Sequence, residues 1–118
     1  MKFDSNSYKR IMAYYIRMLR LMRGYTQQDI ADKLGKTTNA ISNWELGNTS
    51  PSVDDMVALC EFLKVTPNQL CGWDKCDELT EYIQNSKEAE KRINELRQRK
   101  EEIEKEIRTM TDILNRKQ

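Results

Sequence analysis

Cys60, Cys71 and Cys76 carry the most reactive side chains of the chain, and their chemistry would be zinc ligation, disulfide exchange or redox sensing. Their spacing speaks against it, because no two of them stand in the C-x-x-C separation of a zinc or dithiol site. An odd number of cysteines, with no apolar signal segment after Met1, argues for free thiols rather than a disulfide framework. Histidine is absent, which removes the commonest general base and a common metal ligand. The carboxylates follow exposed helix patterns, and no Gly-rich phosphate loop occurs. These absences exclude the usual enzyme classes, and neither a metal nor a cofactor is expected. What remains is non-covalent recognition, which needs elements that hold side chains at fixed spacing.

The 118 residues hold 20 Lys+Arg and 19 Asp+Glu, a net charge of +1. Any nucleic-acid binding must therefore use a local face rather than bulk charge. No run of about 18 apolar residues is present, so no membrane span is expected, and the chain reads as cytoplasmic. The averages conceal two halves. Residues 1–72 hold 9 Lys+Arg and 7 Asp+Glu, whereas half of residues 73–118 are charged and only 13 of those 46 are hydrophobic. A head over 1–72 and a long solvated helix over 73–118 are the expected domains.

The head reads as five short helices. Ile16, Leu19 and Met22 share a face of a helix over 8–23, which Gly24 ends. Thr26 is a candidate cap, with Asp29 three on, for a second helix from about Gln27 to Leu34. Gly35-Lys36-Thr37 is the tight connection of a helix-turn-helix, leading into a third helix that stops before Gly47. Ser52 caps a fourth helix, and Thr66-Pro67-Asn68-Gln69 opens a fifth. No stretch alternates with period two for long enough to form a strand.

Thr26-Gln27-Gln28-Asp29-Ile30-Ala31-Asp32-Lys33-Leu34-Gly35, then Ile41-Ser42-Asn43-Trp44-Glu45-Leu46-Gly47, then Pro51, resembles the Cro/C1-type (XRE) helix-turn-helix family of bacterial and phage repressors. The resemblance covers residues 10–72. It implies an all-α fold: a five-helix, lambda-repressor-like DNA-binding head followed by a long coiled-coil helix. It also implies a recognition helix over about 37–46 lying in the DNA major groove. By this resemblance Gln27 bonds a phosphate and braces that helix. Thr38, Asn39 and Asn43 face the bases, with Ser42 flanking; Thr37 counts among the DNA-binding residues, and Asn48 and Thr49 meet phosphates. Arg20 and Glu45 match positions that form an ion pair across the fold. Asn pairs with adenine N6/N7, and a Thr methyl touches a thymine methyl, so a preference for A·T pairs is expected. The helix carries no Arg or Lys between Thr37 and Glu45, which rules out a bidentate guanine contact from that stretch. Arg10, Arg17, Arg23, Lys33 and Lys36 form either a phosphate-facing surface or ordinary solubilising charge.

The tail has a heptad repeat. Position a reads Leu79, Ser86, Ile93, Lys100, Ile107 and Leu114; position d reads Tyr82, Ala89, Leu96, Ile103, Met110 and Lys117. Nine of these twelve are apolar, the signature of a coiled coil. Leu79, Tyr82, Ile93, Leu96, Ile103, Ile107, Met110 and Leu114 are the expected oligomerisation residues. Glu88–Arg92, Glu95–Arg99, Glu101–Lys105 and Glu104–Arg108 stand in the favourable i,i+4 order. A helix from Lys75 to Asn115 would be about 60 Å long and cannot bury its own stripe. In a parallel pair Arg99 meets Glu104 of the second copy, but Arg92 meets Arg97 and Lys100 faces Lys100. An antiparallel pair avoids the last clash and could carry the heads far apart. Half-sites one turn apart need recognition helices about 34 Å apart, and on that ground a parallel pair is expected.

The expected function is a sequence-specific, dimeric transcriptional repressor that occupies an operator, with the coil open to a protein antirepressor. The alternative is an adaptor or antitoxin-like module whose tail binds a protein partner.

Overall fold

In the computed structural model residues 4–116 are described, and all regular structure among them is helical. The helices are α1 (Ser5–Arg23), α2 (Gln27–Leu34), α3 (Thr38–Leu46), α4 (Val53–Leu63), α5 (Pro67–Leu70) and α6 (Asp77–Arg116). The all-α architecture of five head helices and one long C-terminal helix agrees with the sequence. Each boundary has a local cause. Thr26 and Asp29 close a reciprocal capping box on α2, and Thr66 and Gln69 do the same on α5. Thr37 and Ser52 cap α3 and α4 by accepting the third backbone N–H. The first helix starts earlier than expected because Asp4 caps it, accepting from the Asn6 N–H and the Ser7 hydroxyl.

The chain divides into two compact units, Met1–Tyr82 and Ile83–Gln118. In the first, α1 packs on α3 and α4, and α2 packs on both α3 and α4. Ile16, Leu19, Ile30, Ala31, Ile41, Leu59, Leu63 and Leu70 are wholly buried, with Trp44 and Cys60 nearly so. Ala31 takes its place because a small side chain lets α2 approach its neighbours closely. Truncating any of the large core side chains costs about 2–5 kcal/mol.

Leu79 also belongs to this core, at 2% exposure. Its assignment to an oligomer seam is therefore corrected: a side chain already buried in the head has no surface left for a partner. Tyr82, the next expected seam residue, is half-buried and falls in the same unit. The start of α6 is tied down by Arg23, whose Nε donates to the Leu63 carbonyl at 2.9 Å and whose Nη1 donates to Glu78 at 2.6 Å.

Lys64 ends α4 in the left-handed region, at φ 58°. A Cβ there costs about 1–2 kcal/mol relative to glycine's freedom. Lys64→Gly is accordingly expected to stabilise the head by about 0.5–1 kcal/mol, read as a higher urea midpoint with an unchanged slope.

The second unit is the remainder of α6. From Lys87 to Arg116 every residue is exposed. Ile93, Leu96, Ile103, Ile107, Met110 and Leu114 form one apolar stripe, between 47% and 66% exposed. The ion pairs on this helix are Arg92–Glu95 at 3.4 Å and Lys100–Glu104 at 3.9 Å, rather than the four pairs read from i,i+4 spacing. Exposed pairs are worth too little for spacing alone to select the partner. Lys117 lies outside the described residues. Among the described residues no helix is long and apolar enough to cross a membrane.

Candidate nucleic-acid interface

The interface is built from α2, the turn after it and α3. Gly35 adopts φ 67°, and the Lys36 N–H returns to the Ala31 carbonyl at 2.8 Å, which reverses the chain sharply. Thr37 then spends its hydroxyl oxygen on the Ala40 N–H at 3.1 Å. Thr37 is thus the cap of α3, and its hydroxyl keeps its hydrogen to donate and a second lone pair. Thr38 and Asn39 follow in the first turn and are both exposed. The first N–H groups of α3 lie beside them, without intrahelical acceptors.

Ser42 and Asn43 lie one turn on and are half-buried. The Asn43 side-chain oxygen accepts from Asn48 Nδ2 at 3.3 Å. The Asn43 backbone carbonyl collects the N–H groups of Asn48 at 3.0 Å and Thr49 at 3.4 Å. The loop carrying Asn48 and Thr49 is thereby fastened to the end of α3. Asn43 keeps its own amide hydrogens to donate and a second lone pair to accept, which is what an adenine edge requires.

A buried electrostatic frame holds this helix. Glu45, on α3, accepts from Arg20 Nε at 2.7 Å and from Arg20 Nη2 at 2.9 Å. The third arm of Arg20 donates to the Tyr25 carbonyl at 3.0 Å. The two side chains are 11% and 4% exposed. The bond to Glu45 pushes the Arg20 guanidinium above its ordinary range, against the opposing effect of burial. Gln27 joins the cluster, with Nε2 at 3.4 Å from Glu45 Oε1. One carboxylate therefore fixes α3 to both α1 and the start of α2. The Gln27 side-chain oxygen stays open as an acceptor only, so its amide group divides between bracing and outward contact.

The basic residues sort themselves. Arg23 is committed to Leu63 and Glu78, and Lys36 pairs with Asp55 at 3.3 Å. Arg10, Arg17 and Lys33 are exposed. Sequence reasoning missed the Asn43–Asn48 amide pair and the anchoring role of Arg23. The only signal for either was side-chain chemistry at a distance of several residues.

All three thiols are free, Cys60 buried and Cys71 and Cys76 half-buried. Burial pushes Cys60 and Cys71 up, and Cys71 adds a smaller charge effect on Cys60, so both remain protonated at neutral pH. Among the described residues no cluster of His, Cys, Asp or Glu could hold a metal.

A helix-turn-helix family model matches residues 16–70. Over 82 residues the chain is 29% identical to the HTH-type transcriptional regulator ImmR of Bacillus subtilis (strain 168), which covers 70% of this chain. The chain spans 65% of that regulator's length. It is also similar to the P22 c2 repressor, solved in complex with the synthetic operator 9T. That likeness has 30% identity and a TM-score of 0.52, and covers 54% of this chain and 97% of the repressor chain. The chain belongs to the Cro/C1-type helix-turn-helix family. A hypothetical transcription factor, NHTF from Neisseria, shares the fold at 21% identity and a TM-score of 0.52, covering 60% of this chain and 82% of that one. ImmR is a transcriptional regulator, and the P22 c2 repressor was solved on an operator.

Proposed function

We propose that the protein is a sequence-specific DNA-binding repressor that occupies its operator as a dimer, in the cytoplasm. The observation that carries the reading is the exposed first turn of α3, Thr38 and Asn39, held by the Glu45 frame beside the Asn43–Asn48 amide pair. In this reading α3 lies in the major groove. Asn39 and Asn43 read adenine edges, the Thr38 methyl group meets thymine, and Ser42 flanks them. The Thr37 hydroxyl and the first N–H groups of α3 meet a phosphate at the N-terminal end of the helix, where the dipole favours an anion. Gln27, Asn48 and Thr49 contact the backbone on either side and set the register. With no Arg or Lys from Thr38 to Leu46, discrimination rests on short amides and hydroxyls together with DNA shape. The similarity to an operator-bound repressor supports the word repressor.

The dimer forms through the stripe of Ile93, Leu96, Ile103, Ile107, Met110 and Leu114. Six apolar side chains at heptad spacing and about half exposed are a face that water disfavours and a second helix buries. Polymerase is blocked by occupancy, and an antirepressor protein would act on the same tail. The test is selection from a randomised duplex library at low and moderate salt. The expected result is enrichment of a defined half-site in two copies. Weak binding that enriches nothing and disappears with salt overturns the reading, because such binding touches only phosphates.

A further inference from the structure

Resting on the dimer proposed above, we infer that the second copy runs antiparallel, in one register that aligns Arg97 with Glu104 and Arg99 with Glu106. Charge along the exposed stripe is complementary in this arrangement. In a two-stranded coil the residues flanking the seam, positions e and g, decide partner and direction. Here they read Glu90, Arg97 and Glu104 at e, and Arg92, Arg99 and Glu106 at g, each of them exposed. The two central heptads thus carry basic flanks in the N-terminal one and acidic flanks in the C-terminal one.

A parallel coil pairs each g residue with the e residue five positions on. Arg99 then meets Glu104, but Arg92 meets Arg97 and the two Lys100 residues face each other. Attraction and repulsion cancel, and a like charge sits in the seam. An antiparallel coil pairs g with g and e with e, and stacks a against d. Consider the register with Ile93 opposite Met110, Leu96 opposite Ile107, Lys100 opposite Ile103, and Ala89 opposite Leu114. Arg97 then faces Glu104 and Arg99 faces Glu106, each twice by symmetry, with no like-charge pair. Lys100 no longer meets its copy, and its amine stays 3.9 Å from Glu104 of its own helix. Arg92 falls beside Ile113, which is 44% exposed and whose surface the aliphatic stem of the arginine can cover.

Neighbouring registers fail. A slip of one heptad in one direction sets Arg97 against Arg97, Arg99 against Arg99 and Glu90 against Glu104 twice; Arg92 meets Glu106 twice, so repulsions outnumber attractions four to two. A slip in the other sets Glu104 against Glu104 and Glu106 against Glu106. The favoured register also overlaps residues 87–116 in full. It leaves the two Ile83 residues ~55 Å apart along the coil axis. That exceeds the ~34 Å of one turn of DNA, so the coil does not itself impose a one-turn half-site spacing.

The experiment measures dimer dissociation by sedimentation equilibrium of the full chain at low salt, for the wild type, Arg97→Glu and the double variant Arg99→Glu/Glu106→Arg. Arg97→Glu turns two attractions into repulsions in the antiparallel coil, but two repulsions into attractions in the parallel one. It is expected to weaken the dimer about tenfold. The double variant exchanges the partners of one antiparallel pair, so it is expected to dimerise like the wild type. In a parallel coil it would add two repulsions. Tighter association of Arg97→Glu with a weakened double variant overturns the antiparallel assignment and leaves the dimer standing. Equal association of all three overturns the charge argument. A wild-type chain that stays monomeric, or forms trimers or tetramers, overturns the two-stranded coil itself. Unchanged helix content by circular dichroism for each variant excludes loss of the helix as the cause.

Discussion

Glu45→Ala is expected to lower the stability of the head by about 3 kcal/mol, the low end for breaking a buried pair, because it leaves the part-buried Arg20 guanidinium without its carboxylate. The pair is 11% and 4% exposed, so water cannot replace the lost carboxylate. Arg20 would keep only the Tyr25 carbonyl, and Gln27 would lose its acceptor as well. Small domains have total stabilities of about 5–15 kcal/mol, so a loss of this size removes a substantial share of the stability of the head. The double replacement Arg20→Met/Glu45→Leu removes both charges and is expected to cost far less, since hydrophobic isosteres of a buried pair are often neutral. Urea denaturation of the two variants separates these cases. Equal destabilisation would mean that the ion pair itself, rather than the stranded charge, is the source of the effect. The frame has a functional consequence too: a loosened α3 no longer presents Asn39 and Asn43 at fixed spacing.

Gly72→Ala is expected to cost about 2–4 kcal/mol, from two additive sources. Gly72 sits at φ 80°, where a side chain adds strain. A Cβ there would lie 2.7 Å from Tyr15 Cε2 and 3.0 Å from Ile11 Cγ2. Tyr15 is half-buried and in edge contact with Tyr14 at 5.6 Å, so its ring must shift and disturb that contact for the methyl group to fit. The measurement is again the urea midpoint. A companion variant, Tyr15→Leu/Gly72→Ala, removes the ring and retains the backbone strain, so it divides the cost between clash and conformation.

The fold was legible where one chemical device marks one boundary. Thr26, Ser52 and Thr66 carry hydroxyls at caps, with Gly24 two residues before the first, Pro51 before the second and Pro67 after the third. Asp4 was less visible because no apolar periodicity precedes Tyr8 to announce a helix there. Leu79 misled for a physical reason. A buried face of a head helix and the seam of a coil have repeats of 3.6 and 3.5 residues, which stay in phase over the single heptad from Leu79 to Ser86. Only the burial of Leu79 separates them. At the interface, the resemblance pointed to Arg20 and Glu45, and the two side chains do meet. Residue spacing alone would not have joined two groups 25 positions apart. The Asn43–Asn48 bond depends on the path of the chain after Gly47, which no local pattern records. The direction of the coil was open in the sequence because geometry of the heads and charge along the stripe point opposite ways.

In the proposed function α3 reads base edges through Asn39 and Asn43. The most direct test is duplex selection run side by side with the wild type, Asn39→Ala and Asn43→Ala. Each substitution is expected to erase preference at one A·T pair per half-site, at a cost of about 1–3 kcal/mol, and to leave the other positions intact. Identical motifs from all three proteins, or a uniform loss of affinity with every preference retained, would mean that α3 does not read bases through these two side chains.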